Sequence, residues 1–165
     1  MNITRLRRRH VPLMALLGLV GFALFSACSV QTAAELKTYS GINAIRQEHG
    51  LPPLQSDASL AQIAKIRSED MAAKGYFSHN PPDGCNFLCL FDTYGIESAY
   101  SGENIAWNDY SWAQTADVAV EMWGNSPPHM ENILNCRYTR FGTGVAQAAD
   151  GKIYYTMLFE GNGAC

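Results

Sequence analysis

The sequence predicts an α+β domain in which helices pack on a small antiparallel sheet. Three observations carry that expectation. Apolar residues recur at helical spacing in several segments, β-branched and aromatic residues crowd two runs near the C-terminal end, and the segments run helix, helix, helix, strand, helix, helix, strand, strand. No repeat or low-complexity tract breaks this order.

The first 28 residues read as an export signal rather than as part of the domain. Arg5, Arg7, Arg8 and Arg9 precede an apolar run over 11–25, and small residues follow it. That run is shorter than the roughly 20 apolar residues that span a bilayer comfortably, although a retained anchor is the competing reading. A signal-peptidase cut before Cys28 would put Phe25 where a small side chain is wanted. Phe25-Ser26-Ala27-Cys28 instead resembles a lipobox, with Phe for the commoner Leu, and the expected outcome is a lipoprotein acylated at Cys28. Free secretion is the alternative. Residues 29–165 then form one domain with its core over about 33–160, a size that buries roughly two-thirds of its unfolded surface.

Within the domain, a short tether at Val30 to Thr32 leads to a helix over 33–48, where Leu36, Tyr39, Ile42, Ala44 and Ile45 recur before Gly50. Leu51-Pro52-Pro53-Leu54 cannot continue it, because proline lacks the amide donor. A second helix starts at Ser56 or Asp57 and ends at Gly75; its apolar stripe runs through Leu60, Ile63, Ala64 and Met71, with Lys65, Arg67, Glu69 and Asp70 mostly facing water. Pro82-Asp83-Gly84 has the chemistry of a tight turn, and a short helix over 87–94 closes at Gly95. A strand over 103–107 follows, then a helix over 114–123 that buries Val118, Ala119, Met122 and Trp123. Ser126-Pro127 starts the last helix, to Leu134, with Ser as N-cap and Pro at the first helical position. Strands over 140–147 and 152–160 make a hairpin, joined by Ala148-Ala149-Asp150-Gly151.

Setting aside the four signal arginines takes the formal charge from −3 to −7. An acidic exported domain without a basic patch does not suit nucleic acid. Beyond Cys28 the cysteines are Cys85, Cys89, Cys136 and Cys165, an even set that in an exported chain suggests two disulfides. Cys136 precedes the first hairpin strand and Cys165 follows the second, so antiparallel pairing brings them together; Cys85 and Cys89 are close enough for a local bridge, or for metal.

Four ionisable residues could carry chemistry: His79, Glu103, Glu121 and His129. Two imidazoles and a carboxylate suit an open divalent-metal site or an acid/base pair, but no H-E-x-x-H places both histidines on one helix. As single residues, a turn-capping His79 and a first-turn His129 account for themselves without any function. Ser126 lies near His129 but reads better as an N-cap, and no G-x-S-x-G elbow exists. Most of the aromatic rings belong in the core; a few lining a groove near the histidines would make a binding site.

Several stretches together resemble the CAP superfamily, which groups cysteine-rich secretory proteins, insect venom antigen 5 and plant pathogenesis-related proteins, and its shorter bacterial branch above all. They are Gly50-Leu51-Pro52-Pro53-Leu54, Tyr76-Phe77-Ser78-His79 with Pro82-Asp83-Gly84, Gly102-Glu103-Asn104-Ile105-Ala106, Trp123-Gly124-Asn125-Ser126-Pro127-Pro128-His129 with Asn132-Ile133-Leu134, and Phe141-Gly142-Thr143-Gly144-Val145. The resemblance implies a three-layer α-β-α sandwich whose cleft gathers His79, Glu103 and His129. The second cleft glutamate of animal and plant members has no match here, since Gly124, Asn125 and Ser126 occupy that stretch and Glu121 precedes Trp123.

Family members variously bind sterols or fatty acids, bind metal in the cleft, or are proposed proteases. The leading expectation is therefore a monomeric ligand-binding module of the cell envelope that holds a lipid-like or cell-wall ligand and requires no cofactor. The rival is a metal-dependent hydrolase in which His79 and His129 hold a divalent ion such as zinc and Glu103 acts as base or orienting group. A third reading makes the three residues a polar network that only pins helices to sheet.

Overall fold

The structure, a computed structural model, describes residues 14–163 and 165, with side chains from Val30 onward. The basic start of the signal segment and the side chain of Cys28 lie outside the described residues. Among these residues no helix is long and apolar enough to cross a membrane.

The chain forms α1 (Met14–Glu48), β1 (Gln55–Ser56), α2 (Ala58–Lys74), α3 (Phe87–Tyr94), β2 (Tyr100–Asn108), α4 (Thr115–Gly124), α5 (Pro127–Ile133), β3 (Arg140–Gln147) and β4 (Ile153–Gly161). The four strands make one sheet in the order β1-β3-β4-β2. β4 runs antiparallel to both neighbours, while β1 adds a two-residue parallel strand on β3, so the sheet is mixed rather than purely antiparallel. No tether separates α1 from what precedes it: Val30, Gln31 and Thr32 are helical, having neither the proline nor the glycine that would stop a helix.

Local chemistry sets the helix limits. The Asp57 carboxylate caps α2 by accepting from the Ser59 and Leu60 amides at 2.9 and 3.0 Å, and Gly75 ends it in the left-handed conformation at φ 68°. Asn86 and Gly95 treat α3 the same way. Ser126 stands at the N-cap of α5 without a side-chain cap bond, so its preset start comes from Pro127.

Alternation along β4 divides the core. Tyr155, Met157 and Phe159 face α1, α4 and α5, where they meet Ile42, Ala119, Trp123 and Ile133. Leu158 faces the other way, onto Leu60, Ile63 and Ala64 of α2 and Phe91 of α3, while Tyr154 packs with Met71. With helices on both faces, every residue of β4 is buried, which is why its sequence is a nearly unbroken apolar run. The result is a three-layer α-β-α sandwich with β2 on one edge of the sheet.

The cysteines are joined as Cys85–Cys89 and Cys136–Cys165, each pair with Cα atoms 5.2 Å apart. The first spans the start of α3. The second ties the segment before β3 to the one after β4.

Candidate functional site

Strand alternation at Gly102-Glu103-Asn104 starts the site. Glu103 points to the α2 side of β2 and Asn104 to the α5 side. Gly102 has no room for a side chain, since a Cβ would collide with the Tyr138 hydroxyl and the Asn132 amide.

Glu103 is buried and fully engaged. Its Oε1 accepts from Arg67 Nε at 3.0 Å, and its Oε2 lies 2.6 Å from His79 Nδ1. Arg67, on α2, is buried as well: Nη1 donates to the Tyr76 hydroxyl at 2.9 Å, and Nη2 donates to the carbonyls of Ser78 and His79 at 2.9 and 3.3 Å. The Tyr76 hydroxyl in turn donates to Asp70 at 2.6 Å. Burial works against the Arg67 charge, but the Glu103 carboxylate more than offsets it and leaves the guanidinium pKa above its ordinary value. One arginine thus fixes both the carboxylate and the backbone of the loop that carries His79. The sequence pattern assigned Arg67 to solvent; the structure makes it the centre of the site.

His129 reaches the same region from the first turn of α5. Asn104 Nδ2 donates to the His129 carbonyl at 3.1 Å and accepts at its Oδ1 from Asn132 Nδ2 at 2.8 Å, which docks α5 on β2. Its ring Nδ1 is buried and has no partner among the described residues. Burial, and then the nearby charge of His79, push its pKa down. His79, Glu103 and His129 are therefore brought together. Glu121 is not; it stands exposed on α4.

Beside His129 opens a groove of about 620 Å³. Phe77, Trp107, Tyr110, Val118 and Met122 line it together with His129 and Ser126. Phe77, Trp107, Tyr110 and Met122 are 46%, 37%, 52% and 44% exposed, so four large apolar side chains face water in one concavity. Larger in area than a lone surface ring, this is the arrangement the aromatic composition only hinted at. Sequence reasoning missed Val118 and Met122 as groove residues, because α4 spacing placed them in the core stripe.

A His79 that donates from Nδ1 to Glu103 keeps its lone pair on Nε2, and an outer carboxylate of this kind is how metal-bound imidazoles are oriented. Glu103 itself has no oxygen to spare, and the described residues hold no cluster of three metal-binding side chains. His79 and His129 are the imidazoles beside it.

Residues 39–159 match CAP, the cysteine-rich secretory protein family. The uncharacterized protein YkwD of Bacillus subtilis is 38% identical over 136 residues, 82% of this chain and 50% of YkwD. The uncharacterized membrane protein YlbC of the same organism is 36% identical over 130 residues, 79% of this chain and 35% of YlbC. Among solved structures, an extracellular protein containing an SCP domain from Bacillus anthracis superposes with a TM-score of 0.70 at 29% identity, covering 80% of this chain and 41% of that one. The chain thus spans half or less of each of these relatives. Sequence, fold and the grouping of His79, Glu103 and His129 at one sheet edge converge, and the chain belongs to the cysteine-rich secretory protein (CAP) family.

Proposed function

We propose that this protein is an exported ligand-binding module of the cell envelope, lipid-anchored through Cys28. Its ligand is amphipathic, lipid-like or derived from the cell wall. The apolar part lies in the groove of Phe77, Trp107, Tyr110, Val118 and Met122, and a polar group meets the histidines. The observation that carries this reading is the groove itself, which exposes large apolar side chains beside a buried His129 Nδ1 without a partner. Export accords with the signal segment, the two disulfides and the extracellular relative from Bacillus anthracis.

The polar network supports binding better than turnover. Glu103 is held from both sides, so it positions His79 rather than standing free as a base. Ser126 makes no hydrogen bond to His129 Nδ1, which has no partner among the described residues. Were a divalent ion bound, His79 and His129 would hold it, and it would supply Lewis-acid polarisation of a ligand oxygen.

Native mass spectrometry against a panel of fatty acids, sterols and muropeptides, with Trp fluorescence as a second readout, tests the reading. Met122→Lys puts a charge in the groove at an exposed position, and it should weaken binding about 10-fold or more while leaving stability unchanged. Absence of any ligand across the panel, or binding indifferent to Met122→Lys, counts against it.

A further inference from the structure

The groove runs along the free edge of the sheet. β2 pairs with β4 on one side only, and its outer side is closed selectively. The Glu103 carbonyl accepts from Asn132 Nδ2 at 3.4 Å and the Ile105 carbonyl from Trp123 Nε1 at 3.0 Å. In an antiparallel strand the N–H and C=O of a residue point the same way and alternate residue by residue, so Glu103, Ile105 and Trp107 turn their backbone outward while Asn104 and Ala106 pair with β4. Asn132 of α5 and Trp123 of α4 thus occupy two of the outward carbonyls. Nothing among the described residues pairs with the amide or the carbonyl of Trp107. The Glu103 and Ile105 carbonyls are therefore taken, whereas at Trp107, where the groove lies, amide and carbonyl are both open.

We infer that the occupant of this groove is an extended peptide segment that adds itself to β2 at Trp107. The inference rests on the proposed ligand-binding reading and narrows its ligand class. A chain lying along the edge would exchange two hydrogen bonds with Trp107. Its side chains, alternating across the pleat, would fall to Phe77 and Trp107 on one side and to Val118 and Met122 of α4 on the other. A lipid tail satisfies the apolar walls but leaves the Trp107 N–H and C=O without partners when it displaces water, a cost a peptide does not incur. Asp109 lines the groove with Lys152 of the same domain over the Trp107 ring, and the domain beyond the signal arginines is acidic, so the fitting segment carries apolar residues at alternate positions and a net positive charge. A second copy fits poorly. It brings a second Asp109 and the same net negative charge to the groove.

The test uses the mature protein labelled with ¹⁵N and a library of capped hexapeptides of alternating valine or leucine and threonine, each with a terminal lysine. Palmitate and cholesterol serve as lipid probes. A binding hexapeptide should slow exchange of the Trp107 amide about 10-fold, and N-methylation of the peptide residue that faces Trp107 should weaken binding by a similar factor. Met122→Lys should weaken the same peptide. If palmitate or cholesterol binds in the groove and no hexapeptide does, the peptide inference is overturned and the ligand-binding reading stands. Protection of Trp107 that grows with protein concentration alone means a second copy and overturns the inference too. Silence from peptides, lipids and muropeptides alike overturns both.

Discussion

Arg67 holds the Glu103 carboxylate, the Tyr76 hydroxyl and the carbonyls of the His79 loop from a position with a side chain 2% exposed, and its partner carboxylate is 1% exposed. Removing one member of so buried a pair strands the other without water or counter-charge. Arg67→Met should therefore cost about 3–5 kcal/mol in urea unfolding at neutral pH, whereas Glu103→Gln, which keeps shape and hydrogen-bonding capacity, should cost less. A loss below about 1 kcal/mol for Arg67→Met would contradict the buried-pair geometry. The position was half legible in the sequence. Residue 67 falls on the stripe of Leu60, Ile63, Ala64 and Met71 by its 3.6-residue spacing, and only its charge argued for the solvent side. His79, Glu103 and His129 could be named from motifs, but the arginine that unites two of them has no motif of its own. His129 carries a separate, pH-dependent expectation. Its folded pKa lies below the ordinary value, so in acid the unfolded chain takes up a proton that the folded chain refuses. The penalty is absent above about pH 6.5, where neither state is protonated, and it grows as the pH falls below that point. Urea midpoints measured from pH 7.5 down to 5 should fall more steeply for the wild type than for His129→Gln; parallel curves would show that the ring is not held neutral by burial.

At the scale of elements, α2 lies directly on β3, and two glycines make that contact. A Cβ at Gly142 would fall on the backbone of Leu60 and Ala61, and one at Gly144 on that of Ala64 and Lys65. Backbone cannot give way as a flexible side chain can. Gly144→Ala should thus destabilise by about 1–3 kcal/mol or more, with Ser68 losing its bond to the Gly144 carbonyl as α2 lifts away. Thermal unfolding tests this, and an Ala variant as stable as the wild type would mean that α2 and β3 are farther apart than described. The Phe141-Gly142-Thr143-Gly144-Val145 stretch is thereby explained by packing, as Gly102 is by its neighbours Tyr138 and Asn132. Helix ends were readable where a cap residue was recognised, as at Asp57, Gly75 and Gly95, while the Asn86 cap of α3 was not. β1 was not, because two residues offer no period to detect; it exists only because the Gln55 and Asp57 amides find the Thr139 and Phe141 carbonyls at 3.0 and 2.9 Å. β2 extends further in both directions than its apolar stretch suggested, since its pairing with β4 runs from Tyr100 to Asn108.

For the molecule as a whole, the site depends on two sides of one sheet keeping their register. Glu103 and its arginine belong to the α2 layer, Asn104 and His129 to the α5 layer, and β2 is the edge strand they share. Within the sheet that edge pairs with β4 alone, and the far end of β4 is secured by the Cys136–Cys165 bridge. The bridge closes a loop with a sequence separation of 29 residues, against 4 for Cys85–Cys89. Loop-closure entropy grows with the logarithm of length, so the long bridge is worth about 3–4 kcal/mol and the short one about 2 in the chain-entropy model. Replacing Cys136 and Cys165 by serine should accordingly lower the unfolding free energy more than replacing Cys85 and Cys89. It should also loosen the hairpin that supports β2, so that amide exchange rises at Asn104 and Ala106, which pair with β4, before it rises in α2. The Cys85 and Cys89 double variant should leave those amides protected and disturb only α3 and its neighbours. Exchange that accelerates equally in both variants would show that the edge strand draws its order from the helices on either side and not from the covalently closed hairpin.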